Sequence, residues 1–286
     1  MMFLENELLK VTIGLQGAEL KSVYNKENRL EYLWNGDPLF WNRSAPHLFP
    51  IVGELKNGSY LHEGKTYKLP RHGFIRNMHP AVLNQQQHAV EFEFCAGEDT
   101  LAHFPFHFSL RIKYELSGNE IKTTYLIFNP DSKTLFYSLG AHPGFKVHTK
   151  LEDYAIEFEL DEDTDRYFVR QGLIANHYEN FKTQNRNLFL KKEFFSDDAL
   201  VFKNLNSSGV KLYHVNTGKG VVVKWDKKFT YFGIWTQPDC DEFLCLEPWA
   251  GIADHSNFQQ EFKFKEGIRA LDAYGSDQFE LSYRFV

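Results

Sequence analysis

The chain has 286 residues, enough for one large β domain or two smaller ones. Its 38 acidic and 32 basic residues give a net charge of −6, which offers nucleic acid no basic surface. The 16% aromatic content, with 27 Phe, favours strands over helices. Three cysteines, Cys95, Cys240 and Cys245, form neither a disulfide framework nor a Cys-x-x-Cys metal motif, so free thiols in a reducing compartment are expected.

The first six residues lack the basic-then-apolar pattern of a leader, and no apolar run approaches the ~20 residues that span a bilayer. A soluble cytoplasmic protein is expected, monomeric or homodimeric, with neither nucleic acid nor membrane as a partner. Period-two alternation then recurs from end to end. Residues 8–13 give the first strand. Pro38-Leu39-Phe40-Trp41 reads as a short helical turn. The run from Trp41 to Pro50 mixes aromatics, prolines and one cation, and reads as an ordered loop from which Arg43 is expected to line a pocket.

Arg71-His72-Gly73-Phe74-Ile75-Arg76 sets an imidazole beside a glycine, with a guanidinium four residues on. A plain basic loop is one reading. The other is a pocket in which the planar fork of Arg76 meets hydroxyls, a carboxylate or a phosphate. Residues 89–94 make a strand. Phe108, Leu110, Ile112, Tyr114 and Leu116 alternate with polar residues up to the turn Ser117-Gly118-Asn119. Ile121, Thr123, Tyr125 and Ile127 resume the pattern, which predicts a hairpin ending at Asn129-Pro130.

The run 134–139 is strand-like and leads into Gly140-Ala141-His142-Pro143-Gly144-Phe145. Pro143 biases His142 away from the helical region, and Gly144 allows a tight approach. This sets an imidazole at the lip of a sheet, where it can exchange protons near neutral pH or be a satisfied structural group. Residues 154–158, 220–225 and 230–235 are further strands. Ser196-Asp197-Asp198-Ala199-Leu200 suggests a capped turn, with Asp198 either a cap or an acceptor for ligand hydroxyls.

In Phe243-Leu244-Cys245-Leu246-Glu247-Pro248-Trp249, Cys245 and Glu247 share one face of a strand and Leu244 and Leu246 the other. Burial would raise the Glu247 pKa into the range of a general base, unless an arginine pairs with it. Trp249 is core or an apolar platform. Phe279, Leu281, Tyr283 and Phe285 close the chain as a strand. The histidines show no metal-ligand rhythm, although ligands can converge from distant strands, and no nucleotide loop or nucleophile elbow is present. With no linker or repeat, residues 1–286 read as a single all-β domain: a large antiparallel β-sandwich with few short helical turns.

Taken in order, Gly17-Ala18-Glu19-Leu20, Trp41, Pro46-His47-Leu48-Phe49-Pro50-Ile51-Val52-Gly53, His72-Gly73-Phe74-Ile75-Arg76, His142-Pro143-Gly144-Phe145, Asp198-Ala199-Leu200 and Leu246-Glu247-Pro248-Trp249 resemble the aldose 1-epimerase (galactose mutarotase) superfamily, in particular its LacX-like branch. The resemblance implies a galactose mutarotase-like β-sandwich that interconverts the α and β anomers of an aldose without a cofactor or metal. It puts the base on Glu247, the acid on His142, sugar polarisation on His72 and hydroxyl contacts on Asp198. The pocket arginine falls on Arg76 or Arg43. Related hexose-6-phosphate mutarotases use the arginine after His-Gly on the phosphate, so a sugar phosphate stays open as substrate. Relatives often carry a basic residue where this chain has Glu54. A non-catalytic carbohydrate-binding or sensing protein on the same fold is the alternative, suggested by Trp41, Trp249 and the aromatic richness. Glu247 and His142 would form a carboxylate–imidazolium pair, each charge favouring the other.

Overall fold

The computed structural model describes residues 1–258 and 261–286. Two large antiparallel sheets dominate. One has nine strands, with the hairpin Ser109–Ser117 and Glu120–Phe128 at its heart. These pair in unbroken register from Ser109 against Phe128 to Ser117 against Glu120, and the C-terminal strand Ser276–Phe285 lies alongside. The other sheet has eight strands. Phe243–Ala250 is central, with Tyr231–Trp235 on one side and the short strands Leu139–Ala141 and Gly144–Lys146 on the other. A four-stranded sheet is built from the N-terminal strands Met2–Glu5, Leu9–Ile13, Leu20–Asn25 and Leu30–Glu31.

The two large sheets pack face to face as a β-sandwich, the arrangement that lets alternating strands bury their apolar sides. Leu110, Ile112 and Tyr114 from one sheet share a buried core with Phe202, Ile234, Leu244 and Leu246 from the other. Trp225 stacks on Phe232 across the interface with ring centroids 4.7 Å apart. Each such side chain contributes about 1.5–3 kcal/mol on burial.

All eight residues of Phe243–Ala250 are buried, for two different reasons. Leu244 and Leu246 point into the sandwich core. Phe243, Cys245 and Trp249 point to the opposite face and pack in two separate small clusters under loops. A cleft therefore opens on the outer face of the eight-stranded sheet, and this central strand supplies its floor.

Two expectations differ from the fold. Residues 38–41 form a hydrogen-bonded turn, with the Phe40 and Trp41 amides donating to the Asp37 carbonyl, and no helix. The helical turn predicted near Ser196 lies one turn earlier, as a 3-10 segment at Lys192–Phe195, and residues 197–198 are a bend. Among the described residues the one α-helix is Glu98–His103. It starts where the Gly97 amide donates to Thr100 Oγ1 at 2.9 Å, with Glu98 and Asp99 in its first turn, where acidic groups suit the helix dipole. No helix of the described residues is long and apolar enough to cross a membrane.

Candidate active site

Strand register brings His142 to Glu247. Gly140 pairs with Trp249 and Gly144 with Cys245, so His142 falls opposite Glu247 in the gap between two short strands. Pro143 supplies no amide for the ladder there, and its carbonyl instead accepts from the Leu246 amide at 3.2 Å. The imidazole Nε2 of His142 lies 3.2 Å from Oε2 of Glu247. Both residues are buried, Glu247 to 1% exposure.

The His142 backbone is fixed by a relay that begins at Glu19. The buried Glu19 carboxylate accepts the amides of Ser44 and Ala45 and pairs with Lys21 at 2.9 Å. The loop so anchored accepts the His142 amide at the Pro46 carbonyl, 3.1 Å, and the Gly144 amide at the Ser44 carbonyl, 2.8 Å. Trp41 stacks on the imidazole with centroids 4.8 Å apart, and Trp235 meets it edge-on at 5.6 Å.

His72 arrives from a second loop. Its φ of +65° and the +70° of Gly73 make a tight left-handed turn. A side chain at Gly73 would sit 2.2 Å from the Phe49 carbonyl oxygen, so the glycine after the histidine is sterically required. The Gly53 amide donates to His72 Nδ1 at 3.1 Å. That bond makes Nδ1 an acceptor and leaves the proton on Nε2, so His72 offers a neutral N–H donor. Its ring centroid is 5.5 Å from that of His142.

These residues line a cleft of about 450 Å³, together with Arg71, Arg76, Asp198, Trp235, Gln237 and Trp249. Asp198 accepts the Ala199 amide through Oδ1 and directs Oδ2 toward Arg71 Nη2, 3.8 Å away. Arg76 donates through Nη2 to the Arg71 carbonyl at 2.8 Å, and its buried Nε has no partner. Trp249 is 7% exposed and lies flat on the sheet, because Gly140 and Gly233 on the flanking strands leave room for its ring. It is the floor of the cleft more than a projecting platform.

Arg43 is a correction. It does not line the cleft. Its guanidinium donates to the Arg76 carbonyl at 3.1 Å and to Asn77 Oδ1 at 2.6 Å, and lies 3.7 Å from Glu19. It braces the loop carrying Arg76 from behind. Of the two candidate arginines, Arg76 is the one facing the cleft.

Burial dominates the electrostatics. It pushes the Glu247 carboxyl well above its ordinary pKa; the Arg71 charge opposes this, Asp198 reinforces it, and the Trp249 indole N–H opposes it without forming a well-aligned bond. Burial also lowers His142 to about 3, with Arg71 and Arg76 adding to the effect. His72 is held well below its usual value by burial, and by the neighbouring His142, Arg71 and Arg76. Burial therefore works against the expected resting carboxylate–imidazolium pair: in the free cleft desolvation favours the neutral form of each group, with the two atoms 3.2 Å apart.

Sequence reasoning missed several contributors. Arg71, Trp235, Gln237 and the Glu19 relay carry no local sequence signal that assigns them to the site. Trp235 was recoverable, since it pairs with Cys245 and so shares the face of Glu247 once the strands Tyr231–Trp235 and Phe243–Ala250 are set side by side. Cys245, which the sequence places on the strand face of Glu247, is buried beside the site. Its thiol, the His142 imidazole and the Glu247 carboxylate each place one donor atom within 4.8 Å of the others.

Comparison with known proteins agrees with this architecture. Residues 2–268 match the aldose 1-epimerase family. The plasmid-encoded protein LacX of Lactococcus lactis subsp. lactis is 33% identical over 263 residues, covering 87% of each chain. A galactose mutarotase related enzyme from Lactobacillus acidophilus superposes with a TM-score of 0.94 at 31% identity, over 100% of this chain and 97% of that one. A galactose mutarotase-like protein from Lactobacillus casei gives the same TM-score at 28% identity, with full coverage of both chains. The chain belongs to the aldose 1-epimerase family.

Proposed function

We propose that this aldose 1-epimerase family member interconverts the anomers of a hexose, with residues 1–286 acting as one domain and Glu247 and His142 carrying the chemistry. The observation that carries the reading is the 3.2 Å approach of His142 Nε2 to Glu247 Oε2 on the floor of a sugar-sized cleft. Two proton-exchanging groups at that spacing can serve the anomeric hydroxyl and the ring oxygen of one pyranose, which are bonded to the same carbon.

Bound sugar hydroxyls and the Arg71 charge replace lost hydration and draw the pair toward carboxylate and imidazolium. Glu247 then takes the proton of the anomeric hydroxyl while His142 gives one to the ring oxygen. The C1–O5 bond breaks, C1 becomes an aldehyde carbon, and the pair is left as carboxylic acid and neutral imidazole. That is the state burial favours, so the open-chain intermediate meets the pair in its low-energy form. Rotation about C1–C2 presents the other face. His142 removes the proton from O5, O5 attacks C1, and Glu247 returns its proton to the carbonyl oxygen. Substrate and product are isomers, so the proton count returns to its start. Acid–base assistance of this kind contributes ~10²–10⁴-fold.

His72 would donate its Nε2 proton to a sugar oxygen. Asp198 and Arg76 would take hydroxyls from the rim, and Trp249 would back the apolar face of the ring. Two-dimensional exchange NMR with glucose and galactose tests the reading: cross-peaks between anomers should build up faster than in buffer. Rates equal to the spontaneous ones for every aldose tried would leave a binding or sensing protein. A hexose 6-phosphate is a second reading of the substrate, favoured by the two guanidinium groups of Arg71 and Arg76 on the cleft. A lower KM for glucose 6-phosphate than for glucose would select it.

A further inference from the structure

Cys245 has no part in the reaction just described, yet it lies against both groups that do. It is fully buried, two residues before Glu247 on the same strand face, and paired with Gly144, two residues beyond His142. One donor atom each from Cys245, His142 and Glu247 lies within 4.8 Å of the other two. Two donors already stand 3.2 Å apart. Ligand atoms about 2.0–2.3 Å from a tetrahedral zinc are separated by roughly 3–4 Å, so a small movement of the thiol completes a three-ligand half-cage. Glu247 Oε2 has the 3.2 Å approach of His142 Nε2 and no well-aligned hydrogen bond besides, which leaves its lone pairs open to a cation.

We propose that Cys245, His142 and Glu247 form a binding site for a soft divalent cation, Zn²⁺ in the first instance, and that its occupation shuts off epimerisation. A thiolate, an imidazole and a carboxylate are a donor set that suits Zn²⁺. Their two negative charges cancel the two positive charges of the ion, so the filled site is neutral overall, as its burial demands. Three protein ligands leave the fourth position open to the cleft. The ion would hold the lone pairs that Glu247 and His142 need for proton transfer, so metal and turnover exclude each other. The inhibitory half of this inference rests on the epimerase reading; the binding half does not.

The test is a Co²⁺ titration of chelator-treated protein, followed by absorption. Wild type should develop a thiolate-to-cobalt charge-transfer band in the near ultraviolet that saturates at one equivalent and is abolished by Zn²⁺. The Cys95→Ala variant, which removes the exposed thiol, should keep the band. Cys245→Ala, with Cys245→Ser as a second variant should the first not fold, should lose it and bind Zn²⁺ at least about tenfold more weakly. Zn²⁺ should then slow anomer exchange in wild type at concentrations that leave Cys245→Ala unaffected. Absence of the band in wild type, or its persistence without Cys245, overturns the site, whether or not the protein turns over sugar. A band without metal sensitivity of the exchange rate overturns the inhibitory role.

Discussion

Replacing Glu247 by Gln separates proton transfer from every other contribution of that side chain. The amide fills the same volume and keeps a hydrogen-bonding end, but it cannot take up and return a proton. The size of the loss follows from the geometry. Nε2 of His142 and Oε2 of Glu247 are 3.2 Å apart, close enough to act on adjacent oxygens of one substrate, so the full acid–base contribution is at stake. That amounts to ~10²–10⁴-fold in kcat/KM, or about 3–5 kcal/mol in the barrier. Stability should hardly change. Burial favours the neutral form of the Glu247 carboxyl, which an amide resembles, so the cost should stay at about 1 kcal/mol. Exchange NMR reads the rate, and thermal denaturation by circular dichroism reads the fold. His142→Gln should lose a similar factor, and the double variant little more than either, because the two act as one unit. A folded Glu247→Gln protein retaining more than about a tenth of wild-type turnover would refute the reasoning. So would losses that simply multiply in the double variant.

Arg76→Met should raise KM about tenfold or more by removing a charged hydrogen bond to substrate. Arg43→Met should lower stability and leave KM near wild type; the opposite pattern would return Arg43 to the cleft. Gly233→Ala places a methyl about 2.5 Å from the Trp249 ring, so it should cost ~1–3 kcal/mol of stability and raise KM by tilting the cleft floor; an unchanged KM and melting temperature would contradict that packing. His47 is buried between the Tyr125 and Tyr114 hydroxyls, 2.8 and 2.6 Å away, and burial lowers it to about 4. The unfolded chain therefore takes up this proton first as pH falls. The stability His47 contributes is complete above pH 6.5 and drains away toward pH 4, by about 3 kcal/mol. His47→Gln should flatten that part of the acid-denaturation curve, and an unaltered slope would sink the assignment.

The strands that alternate cleanly were legible. The hairpin at Ser109–Ser117 and Glu120–Phe128 buries one face and exposes the other, and its period is visible in the sequence. The long hairpin Asp163–Arg170 and Leu173–Lys182 escaped notice because most of its residues are partly or fully exposed on both sides, so no apolar period marks it. Helix Glu98–His103 is only six residues long, too short to show a helical period. The side chains that meet in the cleft could be nominated one by one, through the glycine and proline beside His72 and His142 and the apolar frame of Glu247. Their distances could not, because these depend on the pairing of Gly140 with Trp249 and Gly144 with Cys245. The same limit explains Arg43 and the protonation of the pair. Local sequence shows that a cation is present, but not that Glu19, Arg76 and Asn77 draw it away from the cleft. It shows two ionisable groups, but not the depth of burial that makes a neutral pair cheaper than an ion pair.

The structure of a complex with a hexose tests the central claim most directly. The account predicts that the anomeric oxygen lies within hydrogen-bonding distance of the Glu247 carboxyl and the ring oxygen within that distance of His142 Nε2, with the apolar face of the ring over Trp249. A sugar bound in this cleft with C1 turned toward Arg71 and Arg76, or bound only in the separate cavity lined by Phe106, Phe136 and Phe264, would contradict it.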